Sequence, residues 1–393
     1  MTKRAKTSGL SKLNEKQASL PALSALRDVP SFDQLVPTQV QRDAYGSCVE
    51  YLQEAGVDPA QLELACVVRL DRGFPAVVSS VGVFRAEFSA RVTKGDNSKV
   101  AVGDWVCVRI PLNHDMGIIE AILPRKSEIA RWRGSARGEK QTLAANVDVT
   151  FVVQALDERK TSIDRIVRSV VIALDSNVRA VVVLTKADSV SPATLKRHLT
   201  LIHEVLGDAV TTIVTSSKLE VSHESFCDEM KQIVQKFHAR WGMDAIREEI
   251  PQESVAIVLG ESGAGKSTLL NALLGHEALE TGEVRASDKA GRHTTVARRM
   301  VALPKAGIIV DEPGLRSLPV VGHEQGLAKV FPKISRAAAA CKFRDCTHMH
   351  EPGCGVRAAL RAGEYSSAQV DAYLSLAHEM QVSSRLLDPD VVL

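Results

Sequence analysis

No stretch of this 393-residue chain stays apolar for long. Runs such as residues 170–174 fall far short of the roughly 18 residues that a membrane span needs. The opening residues, Met1-Thr2-Lys3-Arg4-Ala5-Lys6, lead into polar sequence with no apolar core, so a secretory leader is not expected and the cytoplasm is the expected compartment. Cysteine is sparse and odd in number, seven in all, which excludes a disulfide scaffold and a fully paired secreted protein. An excess of one charge is also missing. Forty-nine Lys and Arg face 47 Asp and Glu, a net charge of +2 that by itself predicts neither a nucleic-acid nor a membrane partner. What is present, 45% hydrophobic and 24% charged residues, is ordinary for a soluble globular protein. At about 150 residues per domain the length predicts two or three domains.

Local charge is less even. Residues 1–16 carry five basic side chains against Glu15, and residues 125–140 carry Arg125, Lys126, Arg131, Arg133, Arg137 and Lys140 against Glu128 and Glu139. Each run is net +4, and each reads equally as a solvated face or as a contact for an anionic polymer. Cys48, Cys66, Cys107 and Cys227 stand apart and read as small buried apolar groups, whereas Cys341, Cys346 and Cys354 are clustered.

The first 60 or so residues mix a basic tail with Ser, Pro and Gln and predict partial disorder, with a short helix around residues 38–55. From Leu64 to about Ser127, short β-prone runs separated by turns predict a five-stranded barrel, with Gly103-Asp104 turning the chain before Trp105. The oligonucleotide-binding barrel leads, ahead of an SH3-like barrel or a β-domain without a ligand. After residue 148 the rhythm is strand, helix, strand: apolar runs at 149–156, 180–184, 211–215 and 255–259 alternate with helical patterns at 161–175, 193–206 and 226–239. This predicts a mostly parallel sheet with helices on both faces and a ligand at the carboxyl ends of the strands.

The chemistry-bearing motifs fall at those ends. Gly260-Glu261-Ser262-Gly263-Ala264-Gly265-Lys266-Ser267, followed by Thr268, matches the phosphate-loop pattern between a strand and a helix. Its glycines turn backbone N–H groups toward phosphate, Lys266 reaches the β- and γ-phosphates, and Ser267 is a Mg²⁺ ligand. Asp311-Glu312-Pro313-Gly314 follows a strand, placing Asp311 as the second metal carboxylate and the Gly314 N–H at the γ-phosphate. Between them, Gly291-Arg292-His293-Thr294-Thr295 reads as a loop in which a threonine completes the Mg²⁺ shell only with γ-phosphate present.

A phosphate grip does not choose the base. Thr185-Lys186-Ala187-Asp188 offers a carboxylate for guanine N1–H and the 2-amino group and a lysine stem to cover the ring, and Thr215-Ser216-Ser217-Lys218 offers N–H groups to O6. Adenine has no such donor pair, so it would leave Asp188 unpaired. These motifs precede the phosphate loop, the reverse of the usual order, so the domain reads as circularly permuted. That order places the γ-phosphate sensor directly before the C-terminal segment. Finally, Cys341-x₄-Cys346-x-His348-x₅-Cys354 supplies a closed tetrahedral set for one structural zinc, with His350 as a rival ligand.

The order of these motifs, with the lead-in Gln141-Thr142-Leu143-Ala144-Ala145-Asn146-Val147-Asp148, resembles the bacterial small ribosomal subunit biogenesis GTPase family, RsgA, over residues 64–385. The resemblance implies a late assembly factor of the small (30S) subunit that binds its rRNA, with slow GTP hydrolysis stimulated by the subunit. It makes His293 the water-positioning residue. The sequence departs from the family at Val296, where a third threonine is usual, at Glu312, where Thr or Ser is common, and at Thr185, where Asn is more frequent. The Mg²⁺ threonine stays open between Thr294 and Thr295. The expected fold class is multidomain α/β: an N-terminal extension (1–62), an OB-like barrel (63–128), a permuted P-loop GTPase domain (140–320) and a helical zinc domain (321–393). A monomer with GTP, Mg²⁺ and zinc is expected, and no membrane partner. A non-catalytic, GTP-regulated RNA-binding scaffold and an ATP-dependent enzyme are the competing readings.

Overall fold

The computed structural model describes residues 26–71, 74–94, 99–133, 139–158, 162–216, 224–278, 298–312 and 319–385. The strands that were read as unbroken apolar runs lie at the centre of its main sheet. β8 (Val149–Ala155), β9 (Arg179–Thr185), β10 (Thr211–Val214), β12 (Val255–Leu259) and β14 (Ile308–Asp311) are mutually parallel, in the spatial order β10-β9-β8-β12-β14. Such strands are apolar on both faces because both are covered. Val152, Val182, Leu184 and Ile257 face one layer, with Ile166, Val170 and Val171 of α3 (Ile163–Asp175) and Leu195 and Leu199 of α4 (Pro192–Leu206). Phe151, Val153, Val181, Val183 and Val258 face the other, with Ile246 of α6 (Met243–Glu248) and Leu270 and Leu273 of α7 (Lys266–Leu274). Each large side chain so buried contributes about 1.5–3 kcal/mol. The short β11 (Arg240–Trp241), entered from α5 (Glu224–Lys236), completes the far edge beyond β10.

The N-terminal strands close on themselves. β1 (Leu62–Asp71) pairs with β2 (Phe74–Ser79), β2 with β3 (Gly82–Phe88), β3 in parallel with β5 (Gly117–Ile122), β5 with β4 (Trp105–Arg109), and β4 back with β1. Ala65, Val67, Val77, Ala86, Val106, Val108 and Ile119 fill this barrel, and α2 (Ala90–Lys94) lies in the connection after β3. The barrel does not hang on a linker. β1 also pairs with β13 (Arg298–Ala302), which runs antiparallel to β14, so barrel and parallel sheet form one twelve-stranded sheet.

Residues 26–61, which include the helix expected near 38–55, brace this joint. Leu35 is buried, and Phe32 meets Trp105 edge-on at 5.9 Å. Helix α1 (Gln39–Glu54), begun by a capping box between Thr38 and Gln41, sends the buried Gln41 amide to the Pro124 carbonyl and to Asn146 Oδ1, both at 2.9 Å. Asn146 in turn donates to the Gly103 carbonyl at 2.8 Å. Polar groups buried this deeply need such partners, and only the folded joint supplies them. At Gly103 (φ +91°) a Cβ would lie 2.2 Å from the Ala145 carbonyl oxygen, so no other residue allows this approach.

Part of the basic run at 125–140 is absorbed here. Arg125 makes a two-pronged ion pair with the fully buried Asp104 (2.7 and 2.8 Å) and another with Glu128, Lys126 pairs with Asp148, and Lys140 with Glu128. Its described residues contribute to β6 (Glu128–Arg133) and β7 (Glu139–Ala145), an antiparallel pair that leads from the barrel into β8.

Of the C-terminal helices α8 (Glu324–Val330), α9 (Pro332–Ala339), α10 (Gly355–Arg361) and α11 (Ser367–Arg385), α8 and α11 pack on α3, α11 also meets α4, and α9 and α10 pack on one another beside α8. At Gly326 a Cβ would stand 2.1 Å from the Val171 carbonyl oxygen, which sets how closely α8 crosses α3. Asp175 at the end of α3 accepts from the Gly326 N–H at 2.7 Å and pairs with His323 at 3.0 Å, and Arg168 grips both oxygens of Glu379 on α11. Among the described residues no helix is long and apolar enough to cross a membrane.

Candidate functional site

Because β8, β9, β10, β12 and β14 run parallel, the segments leaving their carboxyl ends share one rim of the sheet. β12 ends in the loop from Gly260 to Gly265, and α7 starts at Lys266 and carries Ser267 and Thr268 in its first turn. The loop runs tight against the sheet. At Gly260 a Cβ would sit 2.4 Å from the Val153 carbonyl oxygen of β8, and Gly265 (φ +88°) caps α7 in the left-handed region. Lys266 Nζ donates to the carbonyls of Gly260 and Glu261, so the ammonium lies over its own loop. Ser262, Gly263 and Thr268 are exposed, while Ala264 is buried and anchors the loop. Glu261 pairs with Arg165 of α3.

The segment expected to read the base lies on the same rim. Thr185 ends β9, and its buried hydroxyl donates to the Ala264 carbonyl at 2.7 Å, spanning β8 to join the two motifs. Lys186 then takes a left-handed turn (φ +59°) into the short turn Ala187–Ser189. Backbone bonds fasten this turn to the next strand end, from Ala187 N–H to Thr215 O at 3.3 Å and from Thr215 N–H to Leu184 O at 2.8 Å. Asp188 thereby reaches Ser216, whose hydroxyl donates to Oδ1, while the Ser189 hydroxyl donates to Oδ2. Both carboxylate oxygens thus act as acceptors at the rim, the property a guanine edge requires.

Sequence reading missed Glu158. One of its oxygens accepts from the Ser191 N–H and the other from the Thr194 hydroxyl, which fixes the start of α4 just after the turn Ala187–Ser189. These bonds hold its carboxyl below the ordinary value. The only trace in sequence is an acidic pair, Asp157-Glu158, directly after an apolar strand.

Asp311 ends β14, opposite Arg299 of β13. The neighbouring Glu312 is 4% exposed and pairs with Arg298, the first residue of β13. Burial pushes its carboxyl up, and Arg298, with Arg131 beyond it, offsets this only in part. His293, Thr294, Thr295, Ser217, Pro313 and Gly314 lie outside the described residues, as does Val296.

At the far end of the chain, ligand atoms of Cys341, Cys346, His348 and Cys354 lie within 4.8 Å of one another. Cys341 Sγ stands 3.4 Å from His348 Nδ1 and 3.9 Å from Cys354 Sγ. His348 reaches the cluster through a left-handed backbone (φ +64°); His350 is not in it. The donor set fits a tetrahedral zinc ion. N–H groups also point at its sulfurs, from Gly355 to Cys341 (3.3 Å) and from Arg357 to Cys354 (3.5 Å). Burial alone would raise the Cys341 thiol, but the Gly355 and Val356 N–H groups and the adjacent thiols outweigh it and hold it below its ordinary value. Glu351 ties the loop by accepting from the Thr347, Met349 and His350 N–H groups.

The profile of the RsgA GTPase family matches residues 122–237 and 225–321. The small ribosomal subunit biogenesis GTPase RsgA of Streptomyces avermitilis is 38% identical over 316 residues, 80% of this chain and 79% of its own. That of Leptospira interrogans is 33% identical over 319 residues, 81% of this chain and 82% of its own. Among solved structures, YjeQ from Thermotoga maritima aligns with a TM-score of 0.56 at 23% identity, covering 81% of this chain and 99% of its own. The circularly permuted GTPase YloQ aligns at 0.53 and 21% identity, covering 82% and 96%. Two structures share this fold, then, and the sequence relatives span most of both chains: this chain belongs to the RsgA GTPase family.

Proposed function

We propose that this chain hydrolyses GTP as a late assembly factor of the small ribosomal subunit, with its barrel on ribosomal RNA and its turnover raised by the subunit. One observation carries the nucleotide part: Thr185 binds Ala264, so the segment suited to a guanine edge and the segment suited to phosphates are fastened together on one rim. The ribosomal part rests on the relatives, whose printed names are small ribosomal subunit biogenesis GTPases. It is supported by a closed five-stranded barrel of the kind that binds oligonucleotides.

In this reading Asp188 accepts from guanine N1–H and the 2-amino group, Lys186 covers the ring, and Ser216 and Ser217 face O6. N–H groups from Gly260 to Thr268 hold the phosphates, and Lys266 turns from its carbonyl partners to the β- and γ-phosphates. Ser267, Asp311 and either Thr294 or Thr295 would hold Mg²⁺, which supplies charge neutralisation when bound. His293 aligns the attacking water and the Gly314 N–H meets the γ-phosphate, so catalysis is chiefly positioning and electrostatics. Cys341, Cys346, His348 and Cys354 would hold one structural zinc. The working unit is a cytoplasmic monomer divided near residues 62, 128, 140 and 320.

Phosphate release from GTP, measured with and without purified 30S subunits at concentrations where binding is shown, tests the proposal. A marked rise in turnover is expected. Binding without any phosphate release would make the chain a GTP-regulated scaffold instead, and equal competition by ATP would overturn the guanine assignment.

A further inference from the structure

Two cysteines read from sequence as isolated packing groups meet in the fold. Along α1, Gln41, Tyr45, Cys48 and Leu52 recur at helical spacing and lie against the barrel. Tyr45 Oη donates to the Leu62 carbonyl at 3.0 Å, which fixes the helix over β1 and β4. On β4, Val106 and Val108 point into the barrel core, and Cys107 between them points out, into the small cluster that Leu52 and Leu62 form beneath α1. Cys48 of α1 packs against that same cluster, which places it on the side of the helix that covers Cys107. The two thiols are not equivalent. Cys107 is fully buried, whereas Cys48 is partly exposed.

We propose that Cys48 and Cys107 form a thiol–disulfide exchange site for small-molecule disulfides, with Cys48 as the attacking thiol and Cys107 as the resolving one. The Cys48 thiolate attacks one sulfur of the small disulfide, whose S–S bond breaks and releases one thiolate with the electron pair. Cys107 then attacks the Cys48 sulfur and expels the second thiolate. The two protein protons end on the two released thiols, so the protein pair is oxidised by two electrons and the small disulfide is reduced by two. The asymmetry of the pair sets the order. The neighbouring Cys107 thiol and the positive charge of Arg91 lower the Cys48 thiol against the opposing effects of burial and Glu120, while Cys48 and burial push Cys107 up. Thiolate character with partial exposure is what selects an attacking sulfur.

The bond would staple α1 to the barrel about two helical turns from Gln41, the side chain that reaches the joint with the parallel sheet. The inference is independent of the nucleotide chemistry.

The full reduced chain, supplied with zinc so that the Cys341 cluster is occupied, is treated with oxidised glutathione, digested without reductant and mapped by mass spectrometry. A peptide pair joined through Cys48 and Cys107, lighter by two hydrogens, is expected, with an upward shift of the melting midpoint that a thiol reductant reverses. C107S should instead accumulate glutathione on Cys48, and C48S should leave Cys107 unmodified. An unreacted Cys48 in the native chain, or a glutathione adduct on Cys48 that never passes to Cys107, would overturn the proposal. Since the native chain gives the primary readout, misfolding of either variant leaves the test intact.

Discussion

The hydroxyl of Thr185 donates to the backbone carbonyl of Ala264 across 79 residues of sequence, at 2.7 Å and out of water. Thr185 therefore fastens the phosphate loop from the position where the family more often carries Asn. Thr185→Val keeps the shape and removes the donor, leaving a buried carbonyl unpaired at a cost of about 1–3 kcal/mol. Both unfolding free energy and GTP affinity should fall, and Thr185→Ser should restore both. Wild-type nucleotide affinity in the Val variant, measured by titration, would refute the link.

Asp188 presents two acceptor oxygens, already used by Ser216 and Ser189. Asp188→Asn replaces one acceptor by a donor that clashes with the guanine N1–H and 2-amino group. GTP affinity should drop about 100-fold or more, while xanthosine nucleotides, which carry an acceptor in place of the amino group, should gain. Competition binding with the two nucleotides reads the exchange directly.

Glu312 and Arg298 form a pair sealed from solvent on the carboxylate side. Arg298→Met removes one partner of a buried pair and should cost about 3–5 kcal/mol in denaturant unfolding. The pH dependence has a definite sign. Burial raises the folded-state Glu312 carboxyl above its unfolded value, so its contribution is complete below that unfolded value and is lost as pH rises through the folded one. Glu312→Gln should therefore gain stability relative to wild type as pH is raised from about 4, near the unfolded glutamate value, toward neutrality. A gap that stays constant across the thermal melts would contradict this.

Asp175 should behave oppositely. Burial opposes its charge, but hydrogen bonds from His323 and Gly326 win and hold the carboxyl below its ordinary value. Its stabilisation is then present above the unfolded aspartate value of about 3.9 and fades as pH falls through the lower folded value. Asp175→Asn should cost about 1–3 kcal/mol at neutral pH, and its melting curve should converge on wild type in acid.

Removing zinc with a strong chelator should unfold the segment around Cys341 to Cys354, because binding at a closed thiolate site of this type supplies about 10 kcal/mol or more to a small segment. Metal analysis should find one ion per chain, and thiol titration should gain three reactive groups after chelation, from Cys341, Cys346 and Cys354. Unchanged thiol reactivity would exclude the site.

The central strands and the phosphate loop were legible because their signals are local: a run such as 255–259 followed by Gly260 to Ser267 declares strand, turn and helix without reference to the rest of the chain. The barrel was legible as five strands, but its fusion to the parallel sheet through β1 and β13 was not, since edge pairing between distant strands leaves no periodic mark. The inward turn of Arg125 to Asp104 was not legible for a related reason, as charge composition does not say which member of the 125–140 run is buried. Residues 26–61 look polar and loose, yet Gln41 and Leu35 are buried because the joint supplies partners that no sequence window contains. His348 was read as the ligand with His350 as its rival, and the cluster holds His348, which enters it through a left-handed backbone.

Arg69 of the barrel, Arg299 of β13 and Asp311 of β14 occupy a single row across three neighbouring strands. A shift of β13 by one residue would reverse the facing of every side chain along it and would have to be matched on both flanks at once. The barrel is thus geared to the end of β14: a displacement of Asp311 is handed through Arg299 of β13 to Arg69 of the barrel.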